Sequence, residues 1–223
     1  MKLIRLSSFI LAILLLSSMQ TKPLKVIFFG DSITQQGANA GGYIHLIEDL
    51  LKQKGMENSY QLSGAGIGGN KIYDLFLRFE DDVLVKKPDV VFIYIGINDV
   101  WHKQSSQTGT DPDKFEKFYV AMIKKLQANN TRVIVCTPTV IGERNDNSNQ
   151  LDGDLNRYSN IIRTMAAKNN VQVCDLRKGF MDYELKNNPE NKEKDILTAD
   201  RVHLNPKGNE LVAKLMTDAL TSK

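Results

Sequence analysis

The chain has 223 residues, 42% hydrophobic and 25% charged, which suits one domain able to bury a core around a rigid site. Its formal charge of +3 comes from 29 basic against 26 acidic residues and nearly vanishes without Lys2 and Arg5 of the N-terminal segment. That balance excludes nucleic acid as the expected partner.

Lys2 and Arg5 precede the apolar run Phe9-Ile-Leu-Ala-Ile-Leu-Leu-Leu16, followed by the small and polar Ser17-Ser-Met-Gln-Thr21. A positive flank, a short greasy stretch and small residues predict a secretory signal peptide over residues 1–20 and export to the periplasm or medium. One folded domain then spans 21–223. The run is shorter than the roughly 20 residues of a comfortable membrane span, so no stable insertion is expected after processing. An uncleaved anchor is the alternative. Cys136 and Cys174 each lie in an apolar strand-like run and read as buried free thiols. Neither has metal-ligand spacing.

From Lys22 onward, β-type runs alternate with helical patterns. Leu24–Phe29 is a β-branched and aromatic strand that stops at Gly30. Tyr43, Ile44, Ile47, Leu50 and Leu51 recur at helical spacing, and Gly55 closes that helix. A weaker strand, Ser59–Leu62, runs into the glycine-rich Gly64-Ala-Gly-Ile-Gly-Gly69. A helix is predicted over Lys71–Lys86, ending before Pro88. Val90–Ile95 is apolar throughout, as a strand buried on both faces should be. Asp111-Pro112 starts a long helix to about Asn129, Arg132–Cys136 is the fourth strand and Val171–Cys174 the fifth. A helix near Leu155–Lys168 joins these two strands, and a last helix covers Asn205–Leu220. The alternation predicts a parallel sheet of about five strands in a flavodoxin-like three-layer α/β/α sandwich, with strand order 2-1-3-4-5. Ligands bind such sheets beyond the carboxyl ends of the strands, so the chemistry belongs in the loops there.

Those loops carry the informative residues. The first strand ends in Gly30-Asp31-Ser32-Ile33 and the third in Gly96-Ile97-Asn98-Asp99. Near the C-terminus comes Asp200-Arg201-Val202-His203-Leu204-Asn205-Pro206. Of the three histidines, His45 falls on the polar face of a helix and reads as a solvated surface residue. His102 sits in the loop after strand three with nothing to orient it. His203, three residues after Asp200, can have a ring nitrogen held by that carboxylate, which fixes its tautomer and stabilises an imidazolium.

Gly-Asp-Ser, a glycine-rich loop, Gly-x-Asn-Asp and Asp-x-x-His, in this order at strand ends, resemble the four sequence blocks of the SGNH (GDSL-type) hydrolases. The resemblance covers the chain from Lys25 to the final helix. It implies a serine esterase with Ser32 as nucleophile and Asp200 and His203 completing the triad. It also implies an oxyanion hole from the backbone N–H of Ser32, that of Gly69 (with Gly68 in reserve) and the side-chain amide of Asn98. No metal or cofactor is needed. Two positions depart from the pattern: Ile33 stands where Leu is usual, and Ser63-Gly64 replaces an Asn that commonly braces the glycine loop.

Gly64, Gly66 and Gly69 also match a dinucleotide fingerprint, but no acidic residue follows at the end of the next strand about 20 residues on. A flavin site after strand one would leave Asn98 and the Asp200–His203 pair idle. The function expected is hydrolysis of short acyl, most plausibly acetyl, esters of a small molecule or carbohydrate. A lysophospholipase or thioesterase of the same family, or a catalytically weak sugar-binding module, is the alternative. The loops Gln35–Gly42, Trp101–Thr108 and Gly142–Gln150 form a polar rim in this reading, with Val140-Ile141 as its apolar part. Trp101 and His102 are its candidate substrate contacts. Oligomeric state is left open.

Overall fold

The computed structural model describes residues 22–222; the expected leader over residues 1–20 lies outside them. Five strands form one sheet: β1 (Leu24–Gly30), β2 (Tyr60–Gly66), β3 (Val90–Tyr94), β4 (Arg132–Cys136) and β5 (Gln172–Cys174). All pair in parallel in the order β2-β1-β3-β4-β5, as the alternating pattern predicts. The apolar runs of β1, β3 and β4 are almost wholly buried because helices cover both faces of the sheet.

Nine α-helices lie among the described residues. The first three are α1 (Ser32–Gly37), α2 (Tyr43–Gln53) and α3 (Ile72–Leu77). Next come α4 (Phe79–Asp82), α5 (Ile97–Ser105) and α6 (Pro112–Ala128). The chain ends with α7 (Asp152–Asn169), α8 (Leu176–Asn187) and α9 (Pro206–Thr221). Tyr43, Ile44, Ile47 and Leu51 form the buried stripe of α2, which packs on α9. On the other side of the sheet, α6 packs between α3 and α7. Pro112 and Pro206 stand in the first turns of α6 and α9, where a missing N–H costs nothing.

Three features differ from the sequence reading. The helix expected over Lys71–Lys86 is broken into α3, α4 and a 3₁₀ turn at Leu84–Lys86. The break falls at Arg78, which leaves helical geometry so that its guanidinium and the adjacent Phe79 ring both turn inward onto Phe29. Second, α5 and α8 occupy stretches read as irregular. The buried face of α8 is Leu176, Arg177, Phe180 and Glu184, and two charges on that stripe hide its apolar periodicity. Third, β2 continues through Gly66, pairing Gly64 with Phe28 and Gly66 with Gly30. The first half of the glycine-rich stretch is thus strand, and the rest is a tight turn closed by Asn70 N–H donating to Ile67 O at 3.3 Å. Cys136 and Cys174 face each other in register on β4 and β5 as free, buried thiols, and burial pushes the Cys136 thiol well above its ordinary pKa.

Candidate active site

Ser32 stands at the carboxyl end of β1, in the first turn of α1. The buried Asp31 caps that helix, its Oδ1 accepting from Ile33 N–H at 3.0 Å. Burial pushes the Asp31 carboxyl up to about 7, against the pull of the Ile33 N–H and the charges of His203 and Arg78. Asp31 is therefore a brace for the turn that presents Ser32. Residue 66 must be glycine for this turn to lie where it does: a Cβ there would stand 2.1 Å from Gln35 N.

His203 reaches the same place from the far end of the chain. Its Nε2 lies 2.9 Å from Ser32 Oγ, and its Nδ1 lies 2.7 Å from Asp200 Oδ2. Asp200 Oδ1 accepts two backbone N–H groups, from Val202 at 3.1 Å and His203 at 2.7 Å. Partial burial pulls the Asp200 pKa up, but these bonds and the His203 ring outweigh it and hold the carboxyl below its usual range. An ionised carboxylate only accepts, so Nδ1 carries the proton and Nε2 is free to accept from Ser32. The loop is closed by an antiparallel bridge between Thr198 and Leu204 and by Ala199 N–H donating to His203 O at 2.8 Å. Asn205 then caps α9 through Gly208 N–H at 3.0 Å, which fixes where the loop must end.

Beneath this loop sits a residue the sequence placed on the polar rim. Glu143 is fully buried, and its carboxylate accepts from Ile196, Leu197 and Thr198 N–H at 2.8, 2.6 and 2.6 Å. These three amides lead straight into Asp200. Val140 and Ile141, expected as the apolar part of the rim, are also buried and belong to the core.

The glycine turn between β2 and α3 faces Ser32 from the side. Gly68 N–H donates to Gln35 Oε1 at 3.1 Å, whereas Gly69 N–H has no acceptor among the described residues. Gly69 takes φ +76°, a conformation that glycine adopts with least strain, and Lys71 Nζ donates to its carbonyl at 2.8 Å. The missing Asn brace is replaced by Arg78. Its Nη2 donates to Gly30 O at 2.8 Å and Ala65 O at 3.0 Å, its Nε donates to Asn70 Oδ1 at 2.8 Å, and its Nη1 pairs with Asp82. One guanidinium thus ties the ends of β1 and β2 to the turn.

Gly96, at φ 132°, lets α5 start immediately after β3 and brings Asn98 to the same turn. The Asn98 side chain is buried and donates one N–H to Asn70 O at 3.1 Å, leaving its second N–H available. Its neighbour Asp99 accepts from Ile72 N–H at 3.1 Å, pinning α3 to α5, and burial raises its pKa to about 7.

Trp101 and His102 lie on α5, one turn beyond Asn98, rather than in a loop. Trp101 lines a groove of about 390 Å³ between α5, the β4–α7 connection and Arg201. His102 does not line it; burial first, and the charge of Lys71 second, lower its pKa. His45 is exposed, bonded to Glu48 and to Ala38 O. Among the described residues no group of three or more His, Cys, Asp or Glu side chains is arranged to hold a metal ion.

The model of the GDSL-like lipase/acylhydrolase family matches residues 28–211, a span from β1 into α9 that contains every residue described above. The chain belongs to that family. It is similar to an acetylxylan esterase of Geobacillus stearothermophilus, 28% identical over 205 residues, covering 85% of this chain and 90% of the relative. It is also similar to the human isoamyl acetate-hydrolyzing esterase 1 homolog, 26% identical over 202 residues, covering 84% of this chain and 77% of the relative. Among solved structures, that of an acetyl xylan esterase is 63% identical, with a TM-score of 0.86 over 88% of this chain and 100% of that one.

As a GDSL family member with esterase relatives, the protein is a carboxylic ester hydrolase. The family blocks converge in the fold: Ser32 after β1, Gly69 after β2 and Asn98 after β3, with His203 brought to them by α9. A hydroxyl hydrogen-bonded to a nitrogen base can attack a carbonyl. Glu143, Arg78 and Lys71 escaped the sequence reading. Their only signal was charge at otherwise apolar or glycine-rich positions.

Proposed function

We propose that the protein is an exported carbohydrate O-acetylesterase that works through an acetyl-Ser32 intermediate. The observation that carries the mechanism is the continuous relay Ser32 Oγ···His203 Nε2 at 2.9 Å and His203 Nδ1···Asp200 Oδ2 at 2.7 Å. Ser32 Oγ attacks the acetyl carbonyl carbon while His203 Nε2 takes its proton. Negative charge gathers on the carbonyl oxygen, toward the N–H groups of Ser32, Gly69 and Asn98. His203 returns the proton to the sugar oxygen as the ester C–O bond breaks, and the deacetylated sugar leaves. Water, deprotonated by His203, then releases acetate from Ser32.

The substrate class is supported by the 63% identical acetyl xylan esterase and the acetylxylan esterase relative. The exposed side chains in the groove also favour a polar substrate: Gln104, Ser105 and Gln150 share it with Trp101, whose ring offers a stacking face for a sugar. A long acyl chain needs apolar area, each buried methylene being worth about 0.8 kcal/mol. Val140 lies in the core, and Ile141 and Leu151, which line the groove, are almost wholly buried, so they offer little of it. Export is supported by the basic, apolar and small-residue order of positions 2–21. No described helix is long and apolar enough to cross a membrane.

The test compares kcat/KM for p-nitrophenyl acetate and octanoate and measures acetate release from O-acetylated xylo-oligosaccharides. Acetate should be preferred, the oligosaccharides should be cleaved, and Ser32→Ala or His203→Ala should each lower kcat by roughly 10⁴-fold. A double variant should lose little more than either single one. Preference for octanoate would place the enzyme among lipid esterases instead.

A further inference from the structure

The groove beside the site carries a charge that ester hydrolysis does not use. Arg201 Nη1 lies 2.6 Å from Glu193 Oε1, and Arg144 Nη2 lies 3.6 Å from Glu193 Oε2. Among the side chains that line the groove, two guanidiniums face one carboxylate, a local excess of one positive charge. Asp200 does not line the groove; its oxygens face the His203 loop. All three groups of the wall remain nearly half exposed, within reach of a ligand.

The wall is built, and it adjoins the reacting atoms through the chain itself. Arg201 follows Asp200 directly and lies two residues before His203. It holds φ +83°, a backbone conformation that a bulky residue rarely adopts and that glycine or asparagine would take with less strain. Arg201 O accepts from Gly142 N–H at 2.9 Å, which fastens the β4–α7 connection to the His203 loop. Arg144 is held by Asn149: its N–H donates to Asn149 Oδ1 at 3.3 Å and its carbonyl accepts from Asn149 Nδ2 at 2.6 Å. Across the groove stands Trp101, one turn beyond Asn98 on α5. The groove thus offers an aromatic face, amides for hydroxyls, and two guanidiniums on anchored backbone, suited to a carboxylate.

We propose that this groove selects acetylated oligosaccharides that carry an acidic sugar, a uronyl residue whose carboxylate pairs with Arg144 and Arg201 while Trp101 stacks on the chain. The proposal rests on the carbohydrate reading above and adds the charge of the substrate. Arg144 and Arg201 are then specificity residues, and Glu193 tempers the charge they present.

Two acetylated oligosaccharides, identical except for one glucuronyl branch, test this with the purified enzyme. In low salt the branched substrate should show about fivefold higher kcat/KM, and the ratio should fall toward one as salt screens the pairing. Converting the uronate to its uronamide, which keeps the shape and removes the charge, should abolish the advantage. Arg144→Gln should lower the branched-to-neutral ratio, whereas Glu193→Gln should raise it. Opposite movement in these two variants is not expected of a merely structural cluster, and each ratio is internal to one protein preparation. Equal kcat/KM for both substrates in low salt, or an unchanged advantage for the uronamide, overturns the proposal. Cleavage of p-nitrophenyl acetate with neither oligosaccharide attacked overturns the carbohydrate reading and this proposal with it.

Discussion

Glu143→Ala is the substitution whose consequence the structure fixes most closely. The carboxylate is fully buried and accepts three amides, those of residues 196–198. A hydrogen bond to a charged group contributes about 1.5–3 kcal/mol, and a buried donor left without a partner costs about 1–3 kcal/mol. The three bonds do not add in full, because alanine also removes the cost of burying the carboxylate. A net loss of about 3–5 kcal/mol in unfolding free energy is expected, because up to three N–H groups lose their acceptor at about 1–3 kcal/mol each. The effect should also reach the chemistry, since the freed amides lead into the Asp200–His203 loop. A displacement of about 1 Å in such a loop can lower kcat by about 10²-fold. Glu143→Gln keeps one acceptor oxygen and should fall between alanine and the parent. Urea denaturation at constant m-value gives the stability, and p-nitrophenyl acetate kinetics well below the transition give kcat. Alanine within about 1 kcal/mol of the parent, or a folded variant with parental kcat, would refute the reasoning.

Arg78→Lys keeps a positive charge but not the fork that spans Gly30 O, Ala65 O and Asn70, so kcat should fall about tenfold with KM little changed. Loss of stability with parental kcat would reduce Arg78 to a purely structural tie. Asn98→Ala should lower kcat by about 10²–10³-fold at constant KM, and a rise in KM alone would make it a substrate-positioning residue. Stability should depend on pH through the buried carboxyls. Asp99, raised by burial from 3.8 to about 7, binds more protons folded than unfolded between those values, so stability falls as pH rises across that window and levels off above it. Asp99→Asn should flatten the fall by up to about 4 kcal/mol in denaturation measured from pH 4 to pH 8, and an unchanged slope would contradict the assignment.

Sheet order was legible because β1, β3 and β4 are unbroken apolar runs separated by helical patterns, and parallel connections leave few arrangements. The positions that converge on the site were legible for a related reason: each lies just beyond a strand or just before a helix cap. What escaped were elements and residues whose buried faces are polar. The outward face of α5 reads as loop because Lys103, Gln104 and Ser105 are exposed, and α8 hides behind Arg177 and Glu184. Periodicity reports apolar burial, so it cannot see a helix held through a buried guanidinium. The same holds for Arg78, whose inward turn breaks a helix that hydrophobic spacing predicts as continuous. Glu143 was misplaced because a charged residue in a run of Asn, Asp and Gly reads as solvent-facing unless its acceptors' partners are known, and those lie more than fifty residues away.

Ser32 and His203 are separated by 171 residues, yet their side chains share a hydrogen bond. The helix that follows His203 docks on the start of α2, where Tyr43 N–H donates to Asn209 Oδ1 at 2.9 Å. A chain still being synthesised carries all five strands before α9 arrives, but it does not yet carry His203. Hydrolytic competence therefore appears last, when the C-terminal helix seats. A product ending before residue 200 would lack Asp200, His203 and the buried stripe of α9 (Val212, Ala213, Met216, Leu220), so both the core over α2 and acylation by an activated ester should be lost together.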